Sequence, residues 1–300
     1  MAKIKITTAS CLIFASCVLF TRLLHGDCLK NHDHRSNKTS GLLITDFVIS
    51  GTQSLSSDEL TRIKSKLIGS CFNEDPEELE ERVRALFQNQ GYFASTVKSL
   101  HIKTSDPLAL PKPATLEAEV LEGPRYKVGE INFSGNHALS SAKLRGAFPV
   151  NKGDLFNRDK IATGIESVRD LYVRDGFIDV VAIPETHFSN ATADLALSVI
   201  EGPQYRMGEL KILAKKELSE RLRAEWQLSE GTVFDLKYVD KYISANRSLL
   251  PVGFTREDVQ VVRDCPDASV EIGVLIDATN PLSRIKPKDV ECEVPKNGSK

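Results

Sequence analysis

A nine-residue pattern that occurs twice constrains the fold of this chain more than any other feature. Its first copy covers residues 122–130 (EGPRYKVGE) and its second covers residues 201–209 (EGPQYRMGE), 79 residues later. A glycine followed by an aromatic residue recurs at similar spacing, at Gly91, Gly176 and Gly253, which are 85 and 77 residues apart. Periods of this size indicate duplicated domains rather than a solenoid of small units. The sequence therefore predicts three copies, at residues 42–123, 124–202 and 203–280.

Each copy has the same predicted order of elements, which is strand, helix, helix, strand, strand. In copy one, Ser56 and Glu59 form a capping box at the first helix, and Asp75 caps the second helix ahead of Pro76. Asn157 and Asp235 cap the second helices of copies two and three. The glycine of the Gly-aromatic pair ends the second helix, because glycine accepts a positive φ without strain. In copies one and two the aromatic residue then starts the next strand, and in copy three this strand starts at Glu257. The last two strands form a hairpin, and the first strand pairs alongside it. The prediction is an α+β fold of three βααββ domains, each with a three-stranded sheet and two helices on one face.

This order, the Gly-aromatic pair and the repeated Glu-Gly-Pro-x-Tyr-x-x-Gly-Glu sequence resemble tandem POTRA domains. These are the periplasmic modules of the outer-membrane assembly-factor superfamily that includes BamA and TamA. The resemblance covers about residues 42–280 and is strongest over residues 115–210. Members of this superfamily usually continue into a membrane barrel, whereas here the polar residues 281–300 follow. The resemblance therefore implies three POTRA-like domains without the membrane barrel.

The resemblance also implies a non-catalytic scaffold that acts in outer-membrane protein assembly or protein transport and needs no cofactor. Its expected partners are unfolded outer-membrane protein clients or a separate barrel partner. An extended client can add to an open sheet edge through main-chain hydrogen bonds. The strand after the second helix is the predicted edge, and Pro184 supports this in copy two because proline is tolerated at edges. The candidate client-binding residues, which are alternatively inward-facing core, are Phe93, Val97, Phe177, Val180 and Val259.

The repeated nine-residue pattern falls where one copy ends and the next begins. Proline fixes φ and lacks a backbone donor, so it ends a strand, and the glycine beside it supplies backbone freedom. The tyrosine can wedge between consecutive domains. The pattern therefore predicts inter-domain joints, made by Gly123, Pro124, Tyr126, Gly129, Gly202, Pro203, Tyr205 and Gly208.

The first 26 residues have the composition of an export segment. Two lysines precede the apolar or small residues 9–20, a run that suits a signal-peptide core and is short for a spanning helix. A cleaved signal, an uncleaved anchor and lipidation at Cys17 stay open, and residues 27–41 form a polar linker. All three alternatives predict export, to the periplasm or the periplasmic face of the outer membrane. Membrane association would come through partners or the N-terminal segment.

Charge and motif content argue against several other functions. The chain has 39 Lys and Arg against 41 Asp and Glu, a net charge of −2, which disfavours a nucleic-acid binder. It has no glycine-rich phosphate loop, His-Glu-x-x-His, Cys-x-x-Cys or Gly-x-Ser-x-Gly motif, so the sequence predicts neither an enzyme nor a metal site. Cys265 and Cys292 either form a disulfide with each other, or are free thiols or pair with other partners.

Three other interpretations stay open at this point. A signal-anchored division or cell-wall scaffold carrying POTRA modules is the main alternative, although that class usually has one module. An envelope enzyme on a repeated α+β scaffold would need a deep pocket with convergent His, Asp and Ser. A split assembly factor would have its barrel on a separate chain.

Overall fold

The computed structural model describes residues 41–73, 75–109 and 111–276. The predicted signal segment, most of the linker and the polar tail lie outside these ranges. The elements of the first copy are β1 (Gly41–Ser50), α1 (Ser57–Ser65), β2 (Cys71–Asn73), α2 (Pro76–Gln88), β3 (Thr96–Thr104) and β4 (Lys112–Leu121). Those of the second are β5 (Lys127–Ser134), α3 (Ser141–Arg145), α4 (Arg158–Arg174), β6 (Val181–Ser189) and β7 (Thr192–Ile200). Those of the third are β8 (Arg206–Leu213), α5 (Lys216–Ala224), α6 (Leu236–Ala245), β9 (Val259–Asp264) and β10 (Ser269–Leu275).

Three sheets follow one another along the chain, and each has the predicted strand arrangement. Their strand orders are β2-β1-β4-β3, β5-β7-β6 and β8-β10-β9. In the first and third sheets the last two strands of the repeat form an antiparallel pair, and the first strand of the repeat lies parallel to the last. The predicted α+β fold of three βααββ repeats is confirmed, with one correction. The first sheet has four strands, because β2 pairs with β1.

The helix starts agree with the capping residues that the sequence predicts. Ser56 and Glu59 form a capping box at α1, and the Asp75 side chain accepts the amide of Glu77 at α2. Asn157 accepts the amide of Lys160 at 2.9 Å, and Asp235 accepts the amide of Lys237 at 2.9 Å. Each cap satisfies a backbone donor that has no partner inside the helix.

The apolar stripes of the second helices are buried. In the first repeat Leu79, Val83 and Phe87 belong to a hydrophobic core under the four-stranded sheet. In the third repeat Val239 and Ile243 belong to a separate core. Burying these side chains removes apolar area from water, which is the main favourable term in folding.

The described residues divide into two compact units, and the division passes through the second repeat. One unit comprises residues 41–132, 148–164 and 184–196, and the other comprises residues 133–147, 165–183 and 197–276. The three domain bounds predicted from the sequence stay a prediction.

Candidate functional site

The strand that follows the second helix lies at one edge of the described sheet in every repeat. These edge strands are β3, β6 and β9. Pro184 lies within β6, where the missing N–H of proline is tolerated because an edge strand pairs on one side only. The sheet order therefore shows that the three predicted edge strands lie at sheet edges.

All three of these strands begin later than the sequence predicts. The prediction started the first two at the aromatic residue after Gly91 and Gly176, whereas β3 starts at Thr96 and β6 at Val181. It started the third at Glu257, whereas β9 starts at Val259. Phe93, Phe177 and Val180 therefore lie in the turns before the edge strands, and this part of the prediction is wrong. The turns are held by backbone hydrogen bonds from Ser95 to Tyr92 and from Val180 to Phe177. The amides of Ser95 and Val180 are bonded inside these turns, so they do not donate to a neighbouring strand.

The five candidate side chains face the protein interior or are partly buried. Val97 in β3, Val180 before β6 and Val259 at the start of β9 are buried. Phe93 and Phe177 are half-buried. A client that adds to an edge would thus meet the strand backbone rather than these side chains.

The first joint links repeat one to repeat two and comprises residues 88–93, 125–126 and 156–159. The amide of Tyr126 donates to the carbonyl of Gly91 at 2.8 Å, and the carbonyl of Tyr126 accepts from the amide of Phe156 at 3.0 Å. The Arg125 guanidinium donates to the carbonyl of Gln90 and to Glu59, at 3.0 and 2.8 Å. Hydrogen bonds of its amide and its carbonyl therefore hold the Tyr126 backbone in this joint.

Side chains of α4 complete the first joint. Arg158 is 5% exposed and donates to the carboxylate of Glu81 at 2.6 Å and to the side-chain oxygen of Gln88 at 3.0 Å. Asn89 donates to Asp159 at 2.6 Å and accepts the Asp159 amide at 3.0 Å. Charged groups that are this buried need such partners, because desolvation without them is costly.

Four rings form an aromatic cluster at the same joint. The ring centre of Phe93 lies 5.3 Å from that of Phe156 and 4.7 Å from that of Phe188, and Tyr126 lies 4.6 Å from Phe188. Phe93 belongs to repeat one and the other three rings to repeat two. The half-buried Phe93 thus packs on the next repeat, a role the sequence prediction missed.

The second joint links repeat two to repeat three and comprises residues 175–179, 204–205 and 233–234. The amide of Tyr205 donates to the carbonyl of Gly176 at 2.9 Å, and the carbonyl of Tyr205 accepts from the amide of Phe234 at 3.0 Å. The Tyr205 hydroxyl donates to Asp179 at 2.7 Å, and Asp179 is also paired with Arg263. Burial, followed by the Asp179 bond, raises the pKa of Tyr205, so it stays protonated as a donor.

Comparison with known proteins shows which proteins this geometry resembles. Residues 126–202 match the family model POTRA, described as "Surface antigen variable number repeat". This match covers nearly all of the second repeat. The crystal structure of Haemophilus influenzae BamA POTRA3-5 superposes on 79% of this chain and 96% of that one, with a TM-score of 0.57 and 18% sequence identity. Three POTRA-like domains therefore follow one another here.

Several curated proteins are similar to this chain in sequence. The outer membrane protein assembly factor BamA of Neorickettsia risticii is 23% identical over 198 residues, which is 64% of this chain and 26% of that protein. BamA of Nitratidesulfovibrio vulgaris is 27% identical over 184 residues, which is 61% of this chain and 22% of that protein. The chain spans about a quarter of the length of the curated relatives it matches.

Glycines at the POTRA joints have conformational and steric roles. Gly123 and Gly202, which precede the exposed Pro124 and Pro203, have φ of 69° and 70°. A Cβ on Gly129 would meet the carboxylate of Asp194, which accepts the amide of Glu130 at 2.7 Å. A Cβ on Gly208 would lie 3.1 Å from the carbonyl of Val270 in the neighbouring strand. Gly123 and Gly202 are therefore needed for their positive φ. Gly129 and Gly208 are needed because Asp194 and Val270 approach their backbone closely.

The glutamate that opens each POTRA joint sequence is a structural residue that the sequence prediction left out. Glu122 is 6% exposed, and its carboxylate accepts the amides of Gln53 and Ser54 at 3.0–3.1 Å. Glu201 accepts the amide of Ala138 at 2.8 Å and the hydroxyl of Tyr172 at 2.9 Å. Each carboxylate fastens the loop after the first strand of its own domain. A glutamate that recurs directly after a buried strand is the sequence signal that could have revealed this role.

The remaining candidate chemistry is limited. Cys71 and Cys265 are each disulfide-bonded. Cys292 lies outside the described residues, so the Cys265–Cys292 pairing stays a prediction. Within residues 41–73, 75–109 and 111–276, no group of three His, Cys, Asp or Glu side chains is arranged to hold a metal ion. In the same ranges no helix is long and apolar enough to span a membrane.

Proposed function

We propose that this chain is a non-catalytic, exported scaffold that acts in outer-membrane protein assembly at the periplasmic face of the outer membrane. The supporting observations are the tandem POTRA fold and the BamA relatives, which are assembly factors by name. The disulfide-bonded Cys71 and Cys265 support export, because disulfides persist in oxidising compartments. Its partners are unfolded outer-membrane proteins or a barrel protein, and these partners or the N-terminal segment hold it at the membrane.

The mechanism we propose is strand addition at β3, and one observation carries it. β3 is a nine-residue edge strand without proline, whereas β6 contains Pro184 and β9 has six residues. A client strand that runs along β3 can exchange main-chain hydrogen bonds with its outward-facing groups. Such bonds require little of the client sequence, which suits a scaffold that handles many clients.

The same strand carries features that limit self-association. Its register shifts between Val97 and Ser99, which leaves Lys98 without a partner residue in β4. Lys98, His101 and Lys103 are exposed, and Lys103 pairs with Glu117 of β4 at 2.6 Å. Bulges and lysines on an edge disfavour pairing between copies while leaving the backbone of the following residues available.

The test uses single prolines at His101 and Ile102, which lie past the bulge in the regularly paired part of β3. Adjacent residues in an antiparallel pair direct their N–H groups to opposite sides of the strand. One proline removes a bond to β4 and destabilises the sheet. The other removes a donor that faces solvent and a client, so it should leave the fold intact and abolish binding of an unfolded outer-membrane protein peptide.

Alanine at the same two positions is the matched control, because it keeps both N–H groups. Circular dichroism and thermal melting identify which proline variant is folded, and fluorescence anisotropy of a labelled client peptide measures binding. If the folded proline variant binds the peptide as tightly as the parent, clients do not add to β3.

A further inference from the structure

Gly91, Gly176 and Gly253 each lie at a sharp bend of the backbone, which we call a glycine corner. The three corners differ in which residues lie against them. All three have positive φ, of 93°, 86° and 85°. A Cβ on Gly91 would lie 3.1 Å from the carbonyl oxygen of Tyr126, and one on Gly176 would lie 2.8 Å from that of Tyr205. Among the described residues, none would lie within 4 Å of a Cβ on Gly253. Residues of the following repeat cover the first two corners, whereas no described residue covers the third.

The two covered corners receive the same kind of segment. In both joints a tyrosine preceded by Pro-Arg or Pro-Gln gives its amide to the glycine carbonyl, at 2.8 and 2.9 Å. Its own carbonyl then accepts the amide of a phenylalanine, Phe156 or Phe234, at 3.0 Å. A corner of this fold is therefore a receptor for an extended tyrosine segment, used twice within one chain.

The third corner differs from the first two in its place along the chain. Gly91 and Gly176 follow the ends of α2 and α4 by three and two residues, whereas Gly253 lies eight residues after the end of α6, so the prediction that this glycine ends the helix is wrong in repeat three.

The third corner still offers a glycine carbonyl beside a groove. Among the described residues nothing donates to the Gly253 carbonyl. The corner borders a groove of about 380 Å³, lined by Arg247, Leu250, Pro251, Val252, Phe254 and Thr255. The side chain of Val252, which lines this groove, is fully exposed.

We propose that the Gly253 corner docks a separate polypeptide through an extended Pro-x-Tyr segment, in the way that the first two corners dock the next repeat. The other chain's tyrosine amide would bond to the Gly253 carbonyl, and its ring would cover Val252. A second copy of this chain is a poor occupant, because Tyr126 and Tyr205 are already engaged in their own joints. The proposal is independent of client binding at β3.

The third corner also differs in a way that makes docking reversible. Phe93 and Ile178, two residues after the first two glycines, pack on the next repeat. The corresponding residue of repeat three is Thr255, which instead caps the short 3-10 helix Arg256–Asp258. Without that apolar anchor, less area is buried and the bound segment can leave.

The test uses the full chain and a fluorescent peptide of its own residues 122–134 as the probe. Saturable binding measured by anisotropy is expected, and a Tyr126→Ala peptide should bind more weakly. Val252→Asp in the full chain should lower affinity at least about tenfold, since a carboxylate would be buried against the bound ring. Leu108→Asp is the matched control, because Leu108 is equally apolar and 91% exposed in another repeat.

Each other outcome overturns the proposal. Absence of saturable binding, or equal affinity of the Val252→Asp and parent chains, would exclude docking at the Gly253 corner. Displacement of the probe by a peptide of residues 277–300 would assign the corner to this chain's own following segment. Loss of binding in the folded proline variant of β3, with Val252→Asp unaffected, would show that the probe adds to the β3 edge instead.

Discussion

The carbonyl oxygen of Gly176 lies 2.9 Å from the amide nitrogen of Tyr205 and accepts its hydrogen bond. Gly91 and Tyr126 make the same bond at 2.8 Å in the preceding joint. A glycine that ends a helix thus also receives the backbone of the next repeat. Helix termination and domain connection are joined at one residue, so a change at this glycine affects both.

Gly176→Val should therefore destabilise the protein more than Gly253→Val. Both substitutions place a β-branched residue at positive φ, which costs about 1–2 kcal/mol. Only at Gly176 would the new side chain also collide with the Tyr205 carbonyl. Urea unfolding of both variants measures the difference. Equal losses of unfolding free energy would mean that the joint adapts to the added Cβ.

Glu122→Ala should lower the free energy of unfolding by about 1–3 kcal/mol, because it leaves the amides of Gln53 and Ser54 without their acceptor. Glu119→Ala is the control, since Glu119 is an exposed residue of β4 that lies three positions before Glu122. Its effect should stay within about 0.5 kcal/mol. Chemical denaturation measures both values. An unchanged free energy of unfolding in Glu122→Ala would show that water replaces the carboxylate as acceptor.

Arg158→Ala should cost about 1.5–3 kcal/mol, the range for hydrogen bonds that involve charged groups. The substitution removes the donors to Glu81 and Gln88 in the first joint. Arg174→Ala, at the exposed end of the same helix, should change little. Limited proteolysis should cleave the first joint faster in the Arg158 variant only. Cleavage at the parental rate would contradict a clamping role for Arg158.

Glu59 should make stability depend on pH under acidic conditions. Hydrogen bonds from the backbone and then the side chain of Ser56, with Arg125 contributing less, lower its pKa from 4.5 to about 2. A carboxyl whose pKa is lower in the folded state stabilises the fold above its unfolded pKa. This contribution is complete above pH 4.5 and is lost as the pH falls through 2.

The Glu59→Gln variant tests this dependence. Its stability deficit relative to the parent should be largest at neutral pH and should shrink as the pH falls toward 2. Thermal melts across this range give the difference. A deficit that stays constant with pH would show that the ionisation of Glu59 does not contribute.

The sequence predicted the starts of helices correctly where the start depends on residues a few positions away. Ser56, Asp75 and Asp235 cap helices because their side chains reach amides two or three positions ahead. The prediction failed where a partner lies far along the chain. β2 exists because Cys71 and Phe72 pair with β1, and no periodicity in three residues could reveal it. Phe93 looked like a strand residue, but its position follows from the turn at Tyr92 and from rings of the next repeat.

The sequence by itself determined the repeat, the βααββ order and the positions of the joints, because capping, helical spacing and glycine conformation are short-range properties that recur with each copy. Only the tertiary structure decided what each joint residue contacts. Arg158 meets Gln88, 70 positions away, and Glu122 meets Ser54, 68 positions away. It also decided that the next repeat covers the first two glycine corners, whereas no residue within 41–73, 75–109 and 111–276 covers the third. These facts depend on which distant groups the folded chain brings together, and the local pattern, the same Gly-aromatic pair at all three corners, does not encode them.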